Sequence, residues 1–198
     1  MDKTSNPFGE VEDIWFSYAD VHTLAENLFQ KMRQEDQGPV VMIAIGRGGW
    51  TPTRIVAAAF EEARIETLAL SISLSYVDVG TPKEHVVMVQ GLDEFAQELL
   101  VDRITRGHNV WLIDGPYAMG GTVTFAKDYL NTLLKEQGFQ DRAIKVGVLH
   151  WVTFDHSPNA RWRKAATSPP DAFGEKVHSK SKAYVHYPWE HSKLNHDE

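Results

Sequence analysis

The chain has 198 residues, of which 42% are hydrophobic, a content that allows one substantial core and is short for two domains. Its formal net charge of −7 excludes a broad basic surface for nucleic acid. The absence of cysteine excludes disulfides, cysteine-based zinc sites and thiol nucleophiles.

Four amphipathic segments predict helices. Their apolar residues recur at helical spacing, and a residue suited to the first turn precedes each of them. The expected helix starts are Ser17 or Asp20, Thr51 with Pro52 at the first helical position, Asp93, and Thr122.

The segments between these helices predict strands. Residues 40–45 and 109–113 are continuous apolar runs, which are typical of strands buried on both faces of a sheet. The other expected strands are residues 67–74, 86–89, 144–149 and 183–187, whereas residues 155–182 are polar and rich in proline and serine. The alternation predicts a single-domain, doubly wound parallel α/β sheet that binds ligands at the carboxyl ends of its strands.

No segment predicts secretion or membrane insertion. The N-terminus carries no apolar stretch of signal-peptide length, and nothing approaches the roughly 18 apolar residues of a membrane span. We therefore expect a soluble, cytoplasmic protein that binds neither nucleic acid nor membrane.

Two glycine-rich loops each follow a buried strand and open a helix. They are residues 46–49 and residues 114–122, the latter with the sequence DGPYAMGGT. This arrangement aims backbone N–H groups and a helix N-terminus at an anion. We expect both loops to face one crevice, with Asp114 accepting hydrogen bonds from ribose hydroxyls and Thr122 adding a hydroxyl to a phosphate site.

The second loop has two other interpretations. It differs by one residue from a Walker A loop, because Gly121 stands where the phosphate-binding lysine belongs. Loss of that lysine removes the charge that defines a P-loop nucleoside triphosphatase. The remaining interpretation is a glycine-rich turn that holds no ligand.

Five further segments occur in a characteristic order. They are residues 17–21, 45–54, 75–76, 170–174 and 187–190, with the sequences SYADV, IGRGGWTPTR, SY, PDAFG and YPWE. Over residues 14–190 the sequence resembles the type I phosphoribosyltransferases, especially the xanthine and hypoxanthine enzymes of archaea and yeast. The resemblance implies their fold, with a small hood from the C-terminal segment and with residues 1–13 and 191–198 as tails.

The resemblance also implies an activity. These enzymes transfer ribose 5-phosphate from phosphoribosyl pyrophosphate (PRPP) to a nucleobase nitrogen, with Mg²⁺ as the cofactor and pyrophosphate as the leaving group. The expected partners are small molecules, namely PRPP and a nucleobase or nucleotide, together with a second copy of the chain in a homodimer.

The site residues that the resemblance implies fall into groups. Arg47, Tyr76 and Asp114 are the expected catalytic residues, and Asp114 also helps to hold the metal indirectly. Arg47 lies at the pyrophosphate, Tyr76 belongs to a flap that excludes water, and Phe173 lies near the base. The expected substrate-binding residues are Gly48, Gly49, Ser75, Ala118, Met119, Gly120, Gly121, Thr122, His150, Val152 and Phe173.

Each of these residues also has an ordinary structural interpretation. Arg47 would be a surface charge, Ser75-Tyr76 a strand end, and Phe173 and Trp189 core aromatics. His150, at a strand end beside the crevice, is either a proton donor or base contact or a histidine satisfied by its neighbours. None of the nine histidines pairs in a helical His-x-x-x-His with an acidic partner, so we expect no histidine-based metal site.

Three positions depart from the purine enzymes. Gly115 and Ala118 replace two acids of the PRPP loop, and Val152 replaces a lysine that recognises the six-position oxygen of the base. The loop is closer to the Asp-Pro-x-x-Ala-Thr-Gly-Gly-Ser of uracil phosphoribosyltransferases, but their C-terminal base-binding motif is absent. Three hypotheses follow: transfer to a purine or related heterocycle, nucleotide binding without catalysis, or altered chemistry on a phosphoribosyl compound.

Overall fold

The computed structural model describes residues 11–78, 84–118, 120–140, 142–154, 169–179 and 182–190. A short 3₁₀ turn, Pro188–Glu190, follows the last strand. The elements in chain order are β1 (Val11–Trp15), α1 (Tyr18–Glu35), β2 (Val40–Ile45), α2 (Gly46–Glu62), β3 (Thr67–Asp78), β4 (Glu84–Gln90), α3 (Glu94–Thr105), β5 (Asn109–Tyr117), α4 (Gly121–Glu136), β6 (Ile144–Phe154), β7 (Ala172–Ser179) and β8 (Lys182–His186).

Six strands form a central sheet in the order β4-β3-β2-β5-β6-β7, parallel except for the antiparallel pair β3–β4. Helices α1 and α2 cover one face and α3 and α4 the other, so β2 alternates between two cores. Val41 and Ile43 pack toward α3 and α4, whereas Val40 and Met42 pack toward α1 and α2. The predicted doubly wound α/β sheet is confirmed. Among the residues described, no helix has the length and apolar character needed to cross a bilayer.

Strands β1 and β8 form a separate parallel ribbon that serves as the hood. The hood therefore combines an N-terminal and a C-terminal segment, whereas the resemblance implied the C-terminal segment alone. The expected boundary between residues 13 and 14 falls inside β1. One reason is that β1 pairs with a strand far along the chain, which local sequence patterns do not reveal.

Two helix starts agree with the sequence and two do not. Ser17 and Asp20 together form a capping box on α1, and Asp93 accepts a hydrogen bond from the third residue of α3. In contrast, α2 begins at Gly46 with Pro52 inside it, and α4 begins at Gly121 after a left-handed Gly120. The predictions of Thr51 and Thr122 as helix caps were wrong, because helical backbone already begins within each glycine loop.

Several strands are longer than the sequence predicted, and two were not predicted. Strands β3, β5 and β6 continue to Asp78, Tyr117 and Phe154, respectively. Strands β1 and β7 were missed. In β7 the chain runs against α1 so closely that a side chain at Gly174 would lie 2.6 Å from the carbonyl oxygen of Leu24.

Candidate active site

Both glycine loops open onto one cleft of about 380 Å³, as expected from their positions after neighbouring parallel strands. The first loop contributes one wall and the second loop another, and the hood closes a third side through the turn after β8. The lining residues are Ile45, Gly46, Arg47 and Gly48; Asp114, Pro116, Tyr117, Ala118, Gly120, Gly121, Thr122 and Val123; Leu74; and Trp189 and Glu190.

The helices at the cleft lack the side-chain caps that the other helices possess. Ser17 caps α1 and Asp93 caps α3, so their first N–H groups have partners within the chain. Helices α2 and α4 follow Ile45 and Gly120, and neither residue makes a side-chain cap bond. Two helix N-termini thus direct partial positive charge and backbone donors toward the cleft, which favours anions.

The first loop fits against the end of β5 because its glycines have no side chains. A Cβ on Gly49 would lie 2.1 Å from the carbonyl oxygen of Ile113, and a Cβ on Gly48 would lie 3.0 Å from Oδ1 of Asp114. The Pro52 nitrogen carries no hydrogen, so it cannot donate the usual helical bond to the Gly48 carbonyl. Because Gly48 and Gly49 have no side chains, the first loop can approach Asp114 closely.

Asp114 is the carboxylate that the second loop presents to the cleft. Its Oδ1 accepts a hydrogen bond of 2.8 Å from the Gly115 N–H. Burial raises the pKa of Asp114 to about 7; the Gly115 N–H opposes this shift, and the negative charge of Glu190 adds to it. Near neutral pH, Asp114 can therefore either accept from a ribose hydroxyl as a carboxylate or donate as a carboxylic acid.

Gly115 is covered by the ring of Tyr187. A Cβ at this position would lie 2.9 Å from Cε2 of Tyr187, a residue with no exposed surface. The Tyr187 hydroxyl lies 2.7 Å from Nδ1 of His150. A side chain at position 115 would therefore collide with the aromatic ring.

Seven of the expected site residues line the cleft. They are Arg47, Gly48, Asp114, Ala118, Gly120, Gly121 and Thr122. Gly49 lies directly beneath them, buried between the loop and β5. Ser75 and Tyr76 lie in β3, where Tyr76 pairs with Val86 of β4; the Tyr76 side chain and the whole of Met119 lie outside the described part of the chain.

The structure places three expected residues away from the cleft. His150 is fully buried, and burial lowers its pKa to about 4, so its ring is neutral at physiological pH. Val152 is buried in β6 beside Val177. Phe173 lies half-buried on β7, with Nζ of Lys31 3.8 Å above its ring.

Sequence reasoning left several cleft residues out of the expected site. Trp189 and Glu190 were recognised as part of a motif without a place in the site, and Leu74 and Tyr117 were included in a predicted strand and loop without a role of their own. The YPWE segment was the available signal, because it follows a strand and ends in an aromatic and an acid. Tyr117 packs beneath the second loop, since a Cβ on Gly120 would lie 2.8 Å from its hydroxyl.

The cleft can hold a magnesium ion only together with a phosphorylated ligand, which supplies further oxygen ligands. Among the described residues, no group of three or more histidine, aspartate or glutamate side chains is placed to hold a metal. Asp114 and Glu190 both line the cleft. Because Mg²⁺ is commonly bound by one or two carboxylates together with substrate phosphates, this donor set is compatible with it.

Comparisons with known proteins identify relatives by structure. No family model and no curated protein matches the chain. A hypothetical protein from Neisseria gonorrhoeae, crystallised with bound ppGpp, is 28% identical, with a TM-score of 0.64 and coverage of 92% of each chain. A purine phosphoribosyltransferase from Pyrococcus horikoshii is 16% identical with a TM-score of 0.59, and it covers 90% of this chain and 94% of its own. A xanthine-guanine-hypoxanthine phosphoribosyltransferase from Helicobacter pylori is 13% identical with a TM-score of 0.60 and the same coverage. The chain resembles the type I phosphoribosyltransferases and has their fold.

Proposed function

We propose that this protein is a phosphoribosyltransferase that transfers ribose 5-phosphate from PRPP to a purine or a related heterocyclic base. The observation that carries the proposal is the pair of uncapped helix N-termini that face one cleft. PRPP has a phosphate at one end of its ribose and a pyrophosphate at the other. Two separate anion sites with a carboxyl group in the same cleft suit such a molecule.

Each loop receives a role in this proposal. Residues 120–122 and the N-terminus of α4 hold the 5-phosphate. Arg47, which is exposed at the cleft, and the N-terminus of α2 hold the pyrophosphate. Asp114 orients a ribose hydroxyl, so that the anomeric carbon is held in place.

Transfer breaks the bond between the anomeric carbon and the pyrophosphate oxygen and forms a bond to a base nitrogen, which gives up its proton. The first loop and Arg47 stabilise the negative charge that develops on the leaving pyrophosphate. A bound Mg²⁺ would neutralise part of the same charge. Trp189 offers a flat surface for the base at the cleft wall.

Pyrophosphate release tests the proposal. The protein is incubated with PRPP, Mg²⁺ and a panel of purines and related heterocycles, and pyrophosphate is measured. Wild-type protein should release it with at least one base, and Asp114→Ala should not. Asp128→Ala, a change on an exposed position of α4, serves as the matched control and should keep the activity. Folded wild-type protein that stays silent across the panel refutes the proposal.

We propose nucleotide binding without turnover as the second candidate function. The protein from Neisseria gonorrhoeae with bound ppGpp favours it, because that protein is 28% identical over 92% of this chain. The replacement of two loop acids by Gly115 and Ala118 supports it further. It predicts that ppGpp raises the melting temperature and that no base supports pyrophosphate release.

The setting of the protein completes the proposal. We propose a homodimer, as the family resemblance implies, and a cytoplasmic location, as the sequence predicted. Light scattering on the purified protein and fractionation of cells test these two points.

A further inference from the structure

Tyr187 connects the cleft wall to the interior of the fold. Its ring has no exposed surface and stacks on Trp189, with ring centroids 4.7 Å apart and planes 8° from parallel. The edge of the same ring lies against Gly115. The Tyr187 side chain therefore limits the size of the side chain that fits at position 115, and it supports Trp189, which lines the cleft.

His150 holds the Tyr187 ring from the side opposite the cleft. Its Nδ1 lies 2.7 Å from the Tyr187 hydroxyl, and Phe16 covers its ring at a centroid distance of 4.2 Å. Its Nε2 lies 3.8 Å from a carboxylate oxygen of Glu175. This distance is too long for a hydrogen bond. In the tautomer with the proton on Nε2, Nδ1 accepts the phenolic proton.

The backbone of the turn links Tyr187 to Glu190 as well. The Glu190 N–H donates to the Tyr187 carbonyl at 3.0 Å, and the Tyr187 N–H donates to Oε2 of Glu190 at 3.3 Å. The position of the Glu190 carboxylate therefore depends on where Tyr187 is fixed.

From this geometry we infer that Tyr187, braced by His150, is a positioning residue that fixes Trp189 and Glu190 as the wall against which the base of a ligand lies. The inference rests on the proposed site and holds for both candidate functions. At position 115 the aromatic ring stands in place of an acid. Discrimination between ligands therefore depends on an aromatic wall that contacts the base, in addition to the groups that contact the ribose.

Two probes separate this role from a general structural one. PRPP carries no base, whereas ppGpp carries a guanine. Loss of the brace should weaken ppGpp binding and leave PRPP binding nearly unchanged when it is measured without Mg²⁺, so that the Glu190 carboxylate has no metal to hold. A merely structural defect has no reason to distinguish the two ligands.

Tyr187→Phe keeps the ring and removes the hydrogen bond to His150, and Tyr187→Leu also removes the stacking on Trp189. For ppGpp, we expect the dissociation constant to rise about 3- to 10-fold in the first variant and further in the second. His150→Leu should match Tyr187→Phe, whereas His150→Asn, which keeps an acceptor near Nδ1, should retain most of the affinity. Calorimetry measures both dissociation constants, and ligand-induced tryptophan fluorescence, compared with Trp189→Phe, shows whether the wall has moved.

The outcomes distinguish this inference from the proposed function. Wild-type protein that is folded but binds neither PRPP nor ppGpp contradicts the proposed site itself. Wild-type binding with variants that bind both ligands like wild type, or lose both equally, contradicts the positioning role. If the tyrosine variants do not fold, the comparison of His150→Leu with His150→Asn decides the same question.

Position 115 provides an independent check. Gly115→Ala should weaken ppGpp binding at least about 10-fold in the wild-type background, because the new methyl group collides with the Tyr187 ring. In the Tyr187→Leu background, Gly115→Ala should weaken ppGpp binding much less. An equal loss of ppGpp affinity in the two backgrounds would show that Tyr187 does not limit the side chain at position 115.

Discussion

Replacing Asp114 by asparagine should stabilise the fold at alkaline pH. Burial raises the pKa of Asp114 from its ordinary value of 3.8 to about 7. A raised folded-state pKa means that the favourable contribution is fully present below pH 4 and is lost as the pH rises through 7. Asparagine stays neutral, and its side-chain oxygen can still accept from the Gly115 N–H.

The size of the effect follows from the shift. Three pKa units correspond to about 4 kcal/mol, at about 1.4 kcal/mol for each unit. Asp114 is partly exposed to the cleft, and solvent screening reduces this ceiling. We expect Asp114→Asn to raise the free energy of unfolding by about 1–2 kcal/mol at pH 8 and to leave it nearly unchanged at pH 4.

Urea unfolding of the wild type and Asp114→Asn at pH 4, 5, 6, 7 and 8 measures the difference in the free energy of unfolding. Subtracting the two values at each pH removes the contribution of the other titrating groups. Asp20→Asn is the control of opposite sign, because hydrogen bonds from Ser17 lower the pKa of Asp20. Its cost should be largest at neutral pH and should shrink in acid. A difference for Asp114→Asn that stays flat with pH, or a loss of stability at pH 8, would refute the electrostatic account.

Three further changes test the loops and the brace. Gly49→Ala should cost at least about 3 kcal/mol of stability because its methyl group meets backbone at 2.1 Å, whereas Gly38→Ala, with nothing within 4 Å, should change thermal stability by no more than about 1 kcal/mol. Gly48→Ala should fold but bind PRPP at least about 10-fold more weakly in calorimetry, because its methyl group displaces the Asp114 carboxylate. Because the pKa of His150 is lowered to about 4, the fold should lose up to about 3 kcal/mol of stability as the pH falls from 6.5 to 4. His150→Asn should lessen this pH dependence in urea unfolding. An unchanged pH dependence in the variant would contradict the assignment to His150.

The central strands and both glycine loops were predictable because their causes are local. Residues 40–45 are apolar throughout since helices cover both faces of the sheet there, and that run predicted β2 with its observed bounds. The glycines that follow β2 and β5 marked the two loops that open onto the cleft. The cleft lies where the two glycine loops follow the central strands β2 and β5.

The errors arise where distant parts of the chain decide the structure. Thr51 and Thr122 are ordinary capping residues, but the helices begin earlier, inside the loops, and leave their first N–H groups without a side-chain cap. His150 was placed at a strand end and Val152 in the base site, yet pairing with β7 extends β6 to Phe154 and buries both residues. The role of Tyr187 depends on its packing against Gly115, which no sequence period reveals.

The ribbon of β1 and β8 has a consequence for the order in which the protein is completed. Asp13 and His186, which are hydrogen-bonded across it, lie 173 positions apart, and the turn with Trp189 and Glu190 follows directly. During synthesis, both glycine loops leave the ribosome long before the strand that completes the wall of the cleft. The wall of Trp189 and Glu190 is therefore completed after the two loops, and on heating it should be lost first, when the small ribbon separates and the six-stranded sheet is still intact.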